Sequence, residues 1–288
     1  MVDACRQTTA HTTKPLTSLE LDQEQFQLIS SLLYGTCGID LHIRKKRLVQ
    51  ARLARHLHRL GIGDFAEYLE YLEGNDEEFA NLVDCLTTNF TSFFREPHHF
   101  QFLQQEIIPQ FVEGDLRKVR LWSAGCSSGE EAYSIAIVLR ENLDHLEKKD
   151  VLILGTDIST RMLQKAELGI YDERSLGCCD PTLISKYFTR KDTCAAPIHE
   201  IRLELREMVR FSHLNLVDRW FVESPVDVVF FRNVMIYMDK PTQKELCRRF
   251  TEALKPGGYL FVGHAEGLIG LGAELERVGS SIYRKASA

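Results

Sequence analysis

The sequence predicts an all-helical region followed by an open, doubly wound α/β sheet that carries a small antiparallel β insertion. Three observations lead there. From Ser18 to about Asn89, apolar residues recur at spacings of three and four, the mark of helices buried on one side. After Leu116 the β-rich runs VRLWSAG, VLILGTD, VDVVFFRN and YLFVG alternate with the amphipathic stretches Glu130–Leu139, Ser159–Leu168 and Pro241–Leu254. Such alternation builds a parallel sheet with helices on both faces. Between Asp172 and Phe211 it breaks, and KYFTR and IHEIRLELREMVRF read as antiparallel strands.

In chain order, residues 1–17 are polar and expected to be disordered, and an all-helical domain covers 18–90. Thr17 or Ser18 can cap a first helix that buries Phe26, Ile29, Leu32 and Leu33 and ends near Tyr34-Gly35. A second helix runs from about His42 to Leu60. It sets Val49, Leu53, Leu57 and Leu60 on one face and Arg44, Arg52, Arg55 and Arg59 on the other, and Gly61 stops it. Phe65–Leu72 and Phe79–Leu86 are two shorter helices separated by Gly74-Asn75-Asp76. Residues 91–288 form the α/β domain, with a linker at 91–115 and the insertion at about 172–211.

The chain has 288 residues, enough for two domains at about 100–200 residues each. Its 35 Lys and Arg against 41 Asp and Glu leave a net charge of −6, which repels a phosphate backbone, so no nucleic-acid partner is expected. The longest apolar runs fall far short of the ~20 residues that span a bilayer. The start lacks the apolar centre of a secretory signal, so a cytoplasmic location without membrane insertion is expected. The eight cysteines contain no C-x-x-C pair, which argues for free thiols and against a zinc site; no metal is expected.

In an open α/β sheet the ligand lies beyond the carboxyl ends of the strands. The first such end is Ser123-Ala124-Gly125-Cys126-Ser127-Ser128-Gly129-Glu130-Glu131, whose glycines permit close backbone approach. Where a phosphate loop needs Gly-Lys-Ser/Thr, two glutamates stand here. Carboxylates suit a ligand with an ammonium and no phosphate, such as S-adenosylmethionine, although complementing the helix dipole accounts equally well for one of them. Asp157 ends the second strand, where a carboxylate can take both ribose hydroxyls; capping the next helix is the other reading. Asn215 and Leu216 follow a third apolar strand, EMVRFSHLN, and would fit an adenine ring or form an ordinary turn. Arg232, Asn233 and Tyr237 follow the fourth strand, where polar groups face a substrate unless Arg232 is at the surface.

These motifs in series resemble the chemotaxis receptor methyltransferases, the CheR family: TTNFTSFFRE (87–96), SAGCSSGEEAYS (123–134), TDIS (156–159), SHLNL (212–216), FFRNVMIYMD (230–239) and LKPGGYLFVGHAEG (254–267). The resemblance implies a class I methyltransferase fold, S-adenosyl-L-methionine as donor with S-adenosyl-L-homocysteine as product, and glutamates of methyl-accepting chemoreceptors as acceptors. Carried over by position, it implies that Asn89, Thr91, Arg95, Glu131, Asp157, Asn215, Leu216, Arg232 and Asn233 hold the cofactor. Arg95 and Tyr237 then stand nearest the methyl group. The choice of Glu131 over Glu130 rests on the resemblance alone.

A glutamate is already ionised at neutral pH, so no general base is required, and His98, His99 and His264 are left as structural residues. The basic face carrying Arg44, Arg52, Arg55 and Arg59 is expected to dock on the receptor's acidic methylation region; a solvated face is the alternative. Family members that tether to a receptor C-terminal peptide resemble one another in an Arg-Gly-x-Gly-x-x-x-Gly loop. Here Arg190 is followed by Lys191-Asp192-Thr193-Cys194-Ala195-Ala196-Pro197, without any of those glycines, so tether-independent recognition by a monomer is expected. Two other readings compete: an amine or nucleobase methyltransferase, and a silent cofactor-binding module. The net charge and the absence of an interleaved aromatic-basic patch speak against the nucleobase enzyme; Arg95, Arg232, Asn233 and Tyr237 together speak against the silent module.

Overall fold

The computed structural model describes residues 19–87, 89–114, 118–143, 149–194, 196–222, 224–267 and 274–287. The expected disordered segment 1–17 and the Thr17 or Ser18 cap lie outside them. The chain divides into two compact units, Met1–Thr88 and Asn89–Ala288.

In the first unit, helix α1 spans Gln23–Cys37 and starts at a capping box. Asp22 accepts from the Gln25 amide and the Gln25 side chain accepts from the Asp22 amide, so the helix begins four to five residues later than the spacing suggested. It buries Phe26, Ile29, Leu33 and Cys37, while Leu32 is 40% exposed, one position off that stripe. Helix α2 spans Lys46–Leu60 behind a 3-10 turn at Ile43–Lys45, which takes Arg44 out of the helix. Val49, Leu53 and Leu57 are buried; Leu60, expected with them, is exposed in the last turn. Helix α3 is Phe65–Leu72, capped by Asp64. Helix α4 is Asp76–Leu86, capped by Asn75, and starts a turn earlier than its apolar pattern because Asp76, Glu77 and Glu78 suit the positive end of the helix dipole.

The second unit opens with helix α5 (Pro97–Phe102), a π-helical turn, and α6 (Ile108–Glu113). Strand β1 (Lys118–Ala124) leads to α7 (Glu130–Asn142), β2 (Asp150–Asp157) to α8 (Thr160–Leu168). Strand β3 (Ile170–Asp172), helix α9 (Pro181–Tyr187), β4 (Phe188–Lys191) and β5 (Ile198–Ile201) form the insertion, with a separate antiparallel sheet in the order β3-β5-β4. One expectation is corrected here. IHEIRLELREMVRF does not belong to the insertion as a whole: Leu203–Arg206 makes one helical turn, α10, and Val209–His213 is β6, paired parallel with β2 in the main sheet, as the reading of EMVRFSHLN as a third strand expected.

Strand β7 (Val226–Phe231), helix α11 (Lys240–Ala253), β8 (Leu254–Val262) and the hairpin β9 (Leu275–Gly279) with β10 (Ile282–Lys285) complete the unit. The main sheet runs β6-β2-β1-β7-β8-β10-β9, parallel except for antiparallel β10. Every residue of β7 is buried, as a central strand covered on both faces requires. Phe230 and Phe261, partners across β7 and β8, stack at 4.4 Å in the centre. Order and direction are those of a doubly wound sheet, whose chain reversal beside β1 opens a crevice at the carboxyl ends.

Candidate functional site

The loop after β1 is tied to the end of β2. The amides of Gly125 and Cys126 both donate to the Thr156 carbonyl, at 2.7 and 2.9 Å. Asp157, 9% exposed, accepts from the Ser127 amide at 2.7 Å and the Ser159 amide at 2.9 Å. Ser159 itself caps α8 through the Met162 amide, so Asp157 is not the N-cap of that helix. The loop glycines serve the protein's own packing: a Cβ on Gly125 would lie 2.4 Å from Val234 Cγ2, and one on Gly129 2.8 Å from Ala166 Cβ, both at positive φ.

The two glutamates take different partners. Glu131 accepts from the Ser123 hydroxyl at 2.6 Å and from Arg232 Nε at 2.6 Å. Glu130 is buried, accepts from the Ser128 hydroxyl, and has its carboxyl raised above the usual range by desolvation. Arg232 is neither at the surface nor turned to open space. It is buried, its Nη1 donates to the Arg95 carbonyl at 2.8 Å and to His99 Nδ1 at 3.0 Å, and the Phe100 and Phe230 rings lie 5.3 and 5.6 Å from its Cζ. His99 must therefore present a lone pair at Nδ1, leaving its Nε2 hydrogen for the Ser280 carbonyl at 3.2 Å. Burial first, then the Arg232 charge, push the His99 pKa down to about 3, so this imidazole stays neutral.

Segment 89–96 packs on the same strand ends. Ser127 Oγ donates to the Asn89 carbonyl, and the Phe94 amide to Ser134 Oγ in the second turn of α7. Arg95 is half-buried, and its guanidinium folds back on its own segment, 2.9 Å from the Phe90 carbonyl. Thr91 is half-buried as well. Asn233 donates its side-chain amide to Glu96 at 3.3 Å, and Tyr237 ends the 3-10 turn that follows. Asn215 and Leu216 are both buried just past β6, which is linked to β2 by the Leu214 amide donating to the Asp157 carbonyl.

Five non-glycine residues among those described have positive φ, and four of them (Phe94, Glu96, Ser127 and Asn233) lie in this cluster. Such conformations cost about 1–3 kcal/mol each and persist where surrounding contacts over-determine them. The cluster is acidic as well as strained. Burial raises the Cys126 thiol, and Asp157 and Glu131 raise it further. A negative potential at the strand ends fits a cationic ligand. Sequence reasoning singled out neither Glu96, His99 nor Glu266 as site residues; the signal available was that each sits within or beside a matched motif.

In the first unit, Arg52, Arg55 and Arg59 line a surface concavity of about 470 Å³ with His58 and Cys85. Arg52 donates to the Leu86 and Thr87 carbonyls at the end of α4, and Arg59 meets His56 Nδ1 at 2.9 Å. His56 in turn contacts buried Glu78 at 2.6 Å, and Glu78 accepts from Tyr68. Arg44, expected with these arginines, does not line the concavity.

Residues 24–87 match the CheR methyltransferase all-alpha domain, and residues 89–284 match the CheR methyltransferase SAM binding domain. The chain belongs to the CheR methyltransferase family. It is 40% identical over 268 residues to a chemotaxis protein methyltransferase of Salmonella typhimurium, covering 92% of this chain and 91% of that protein. To those of Escherichia coli and Borreliella burgdorferi it is 39% and 37% identical, covering 92% and 93% of this chain and 92% and 96% of theirs. The protein is thus an S-adenosylmethionine-dependent methyltransferase of chemotaxis, with the class I methyltransferase fold. An acidic strand end with Asp157 at the tip of β2 fits the sulfonium and ribose of that cofactor. Among the described residues no helix is long and apolar enough to cross a membrane.

Proposed function

We propose that the protein methylates glutamate side chains in the cytoplasmic methylation region of chemoreceptors, forming glutamate methyl esters. The observation that carries this reading is the match of residues 89–284 to the CheR methyltransferase SAM binding domain, and in keeping with it His99, the buried imidazole at the strand ends, is committed to Arg232 and Ser280 and held neutral. It cannot take a proton from an incoming nucleophile. An amine or alcohol would have to lose one; a glutamate, with pKa near ~4.3, arrives ionised.

S-adenosylmethionine, when bound, supplies a methyl group made electrophilic by its sulfonium. Asp157 would hold the ribose, Asn215 and Leu216 the adenine, and Asn89, Thr91, Glu131 and Asn233 the remainder. Arg232 contributes through Glu131, whose carboxylate it fixes. Arg95 and Tyr237 orient the acceptor carboxylate. Charge cancels as the ester forms, so a strong clamp on the carboxylate would favour the ground state. One guanidinium and one phenol orient it without over-binding, and the half-buried site limits the water that shields the nucleophile.

The receptor would land on the α2 concavity, where Arg52, Arg55 and Arg59 converge. Recognition would proceed without a C-terminal tether. In support, the β4–β5 loop closes on itself, with the Thr193 hydroxyl donating to the Ala196 carbonyl at 2.7 Å, and Arg190 pairs with Asp192 at 3.2 Å. Incubation with methyl-labelled cofactor and a chemoreceptor tests the reading. Label released as methanol in mild base identifies a carboxyl ester; base-stable label would replace it with an amine or nucleobase acceptor.

A further inference from the structure

Two loops on the acceptor side of the sheet, one after β7 and one after β8, point backbone amides at a single side chain. Glu266, four residues past β8 and 7% exposed, accepts at Oε2 from the amides of Asn233 (2.7 Å) and Gly263 (2.8 Å) and at Oε1 from the Ile236 amide (3.1 Å). Its surroundings leave no slack. A Cβ on Gly263 would lie 2.6 Å from Glu266 Oε2 and 2.7 Å from Asn233 Nδ2. Burying a carboxylate is costly, and desolvation holds this one above the usual carboxylate range even against those amides. Three amides from two loops converge here and need an acceptor, which an apolar residue could not supply, so the carboxylate fixes how the two loops meet.

One of those amides belongs to Asn233, whose backbone is held at φ +61° in the left-handed region. Such a conformation persists only where several contacts fix it. Glu266 grips the chain at that strained residue's own amide and again three residues on, at 236, and Tyr237 is the next residue. We infer that Glu266 is a positioning residue for methyl transfer: its buried carboxylate sets the turn that presents Asn233 and Tyr237. The inference rests on the reading above, in which those two side chains face the cofactor and the acceptor.

Glu266→Gln keeps the shape but turns an NH₂ toward amides that need an acceptor; Glu266→Asp keeps the charge on a shorter stem. Three measurements on the full chain decide the matter, with the melting temperature confirming that each variant folds. Hydrogen exchange of the 233–237 amides should quicken about tenfold or more in Glu266→Gln, in line with loss of charge-assisted bonds, and recover in part in Glu266→Asp. Methylation of a chemoreceptor should lose about tenfold in kcat with a smaller change in cofactor Kd. Combined with Tyr237→Phe, the losses should not multiply, because Glu266 acts through that turn.

Unchanged exchange in Glu266→Gln overturns the inference, and so does a fully multiplicative double variant. If Tyr237→Phe alone leaves kcat intact, the assignment of Tyr237 fails instead, and the exchange rates still decide whether Glu266 holds the turn.

Discussion

Arg232 and the arginines of α2 are the same residue type put to opposite uses. Arg232 is buried, ion-paired to Glu131, bonded to a carbonyl and an imidazole, and flanked by two phenylalanine rings. Arg55 and Arg59 are exposed on a concave surface with room for a partner. Burial with full pairing makes a guanidinium part of the architecture, because removing it strands its carboxylate partners. Exposure makes it cheap to change and responsive to salt. The role of an arginine here follows from its solvation, and the contrast can be broken at four points.

The largest effect is expected from Arg232→Met, which leaves Glu131 and Glu96 beside an apolar chain. Loss of one partner of a buried pair costs about 3–5 kcal/mol, to be read as a lowered urea midpoint. A change below about 1 kcal/mol would show that Arg232 is not structural. Next, Asp157→Ala should weaken S-adenosylmethionine binding by about 1.5–3 kcal/mol for each charged bond lost in calorimetry on the folded variant; unchanged affinity would remove Asp157 from the site.

The third test uses protons. His99 is held at about 3 in the folded protein, against about 6.5 when unfolded, so the unfolded chain binds more protons between those values. The stability this group contributes is present above pH ~6.5 and lost as pH falls toward 3. Between pH 7 and 5 the loss is about 2 kcal/mol. The facing groups are Arg232, Glu96, His98 and His264. Thermal melts of wild type should show this slope and His99→Gln should flatten it; equal slopes would refute the neutral imidazole. The smallest change in stability is expected on α2: Arg55→Glu should shift it by no more than about 0.5 kcal/mol, with Arg59→Glu costing more because Arg59 meets His56, and the pair should leave cofactor affinity alone and lower receptor methylation in a salt-dependent way. Methylation at the normal rate would place the docking surface elsewhere.

Much of the fold was legible because alternation of period along the chain is a local property. The run VDVVFF announces a strand covered on both faces, and β7 is one. What failed was also local. RLELREMVRF alternates like a strand, yet Leu203–Arg206 coils once to carry the chain to the vacant side of β2, a choice made by the sheet and not by the segment. The hairpin β9–β10 escaped notice because its strands are only five and four residues long, with β10 on β8 and β9 at the sheet edge. At the candidate site, strand ends could be marked from sequence, but partners could not. Nothing in the order of residues says that Arg232 meets Glu131, 101 positions away, or that Glu266 gathers three amides from two loops.

The most direct test of the account is a crystal structure of the protein with S-adenosyl-L-homocysteine. The ribose hydroxyls should lie within hydrogen-bonding distance of the Asp157 carboxylate, with the adenine beside Asn215 and Leu216 and with Arg232 still bound to Glu131. A nucleoside seated away from Asp157, or one that draws Arg232 out of its pair with Glu131 to contact the ligand directly, would contradict it.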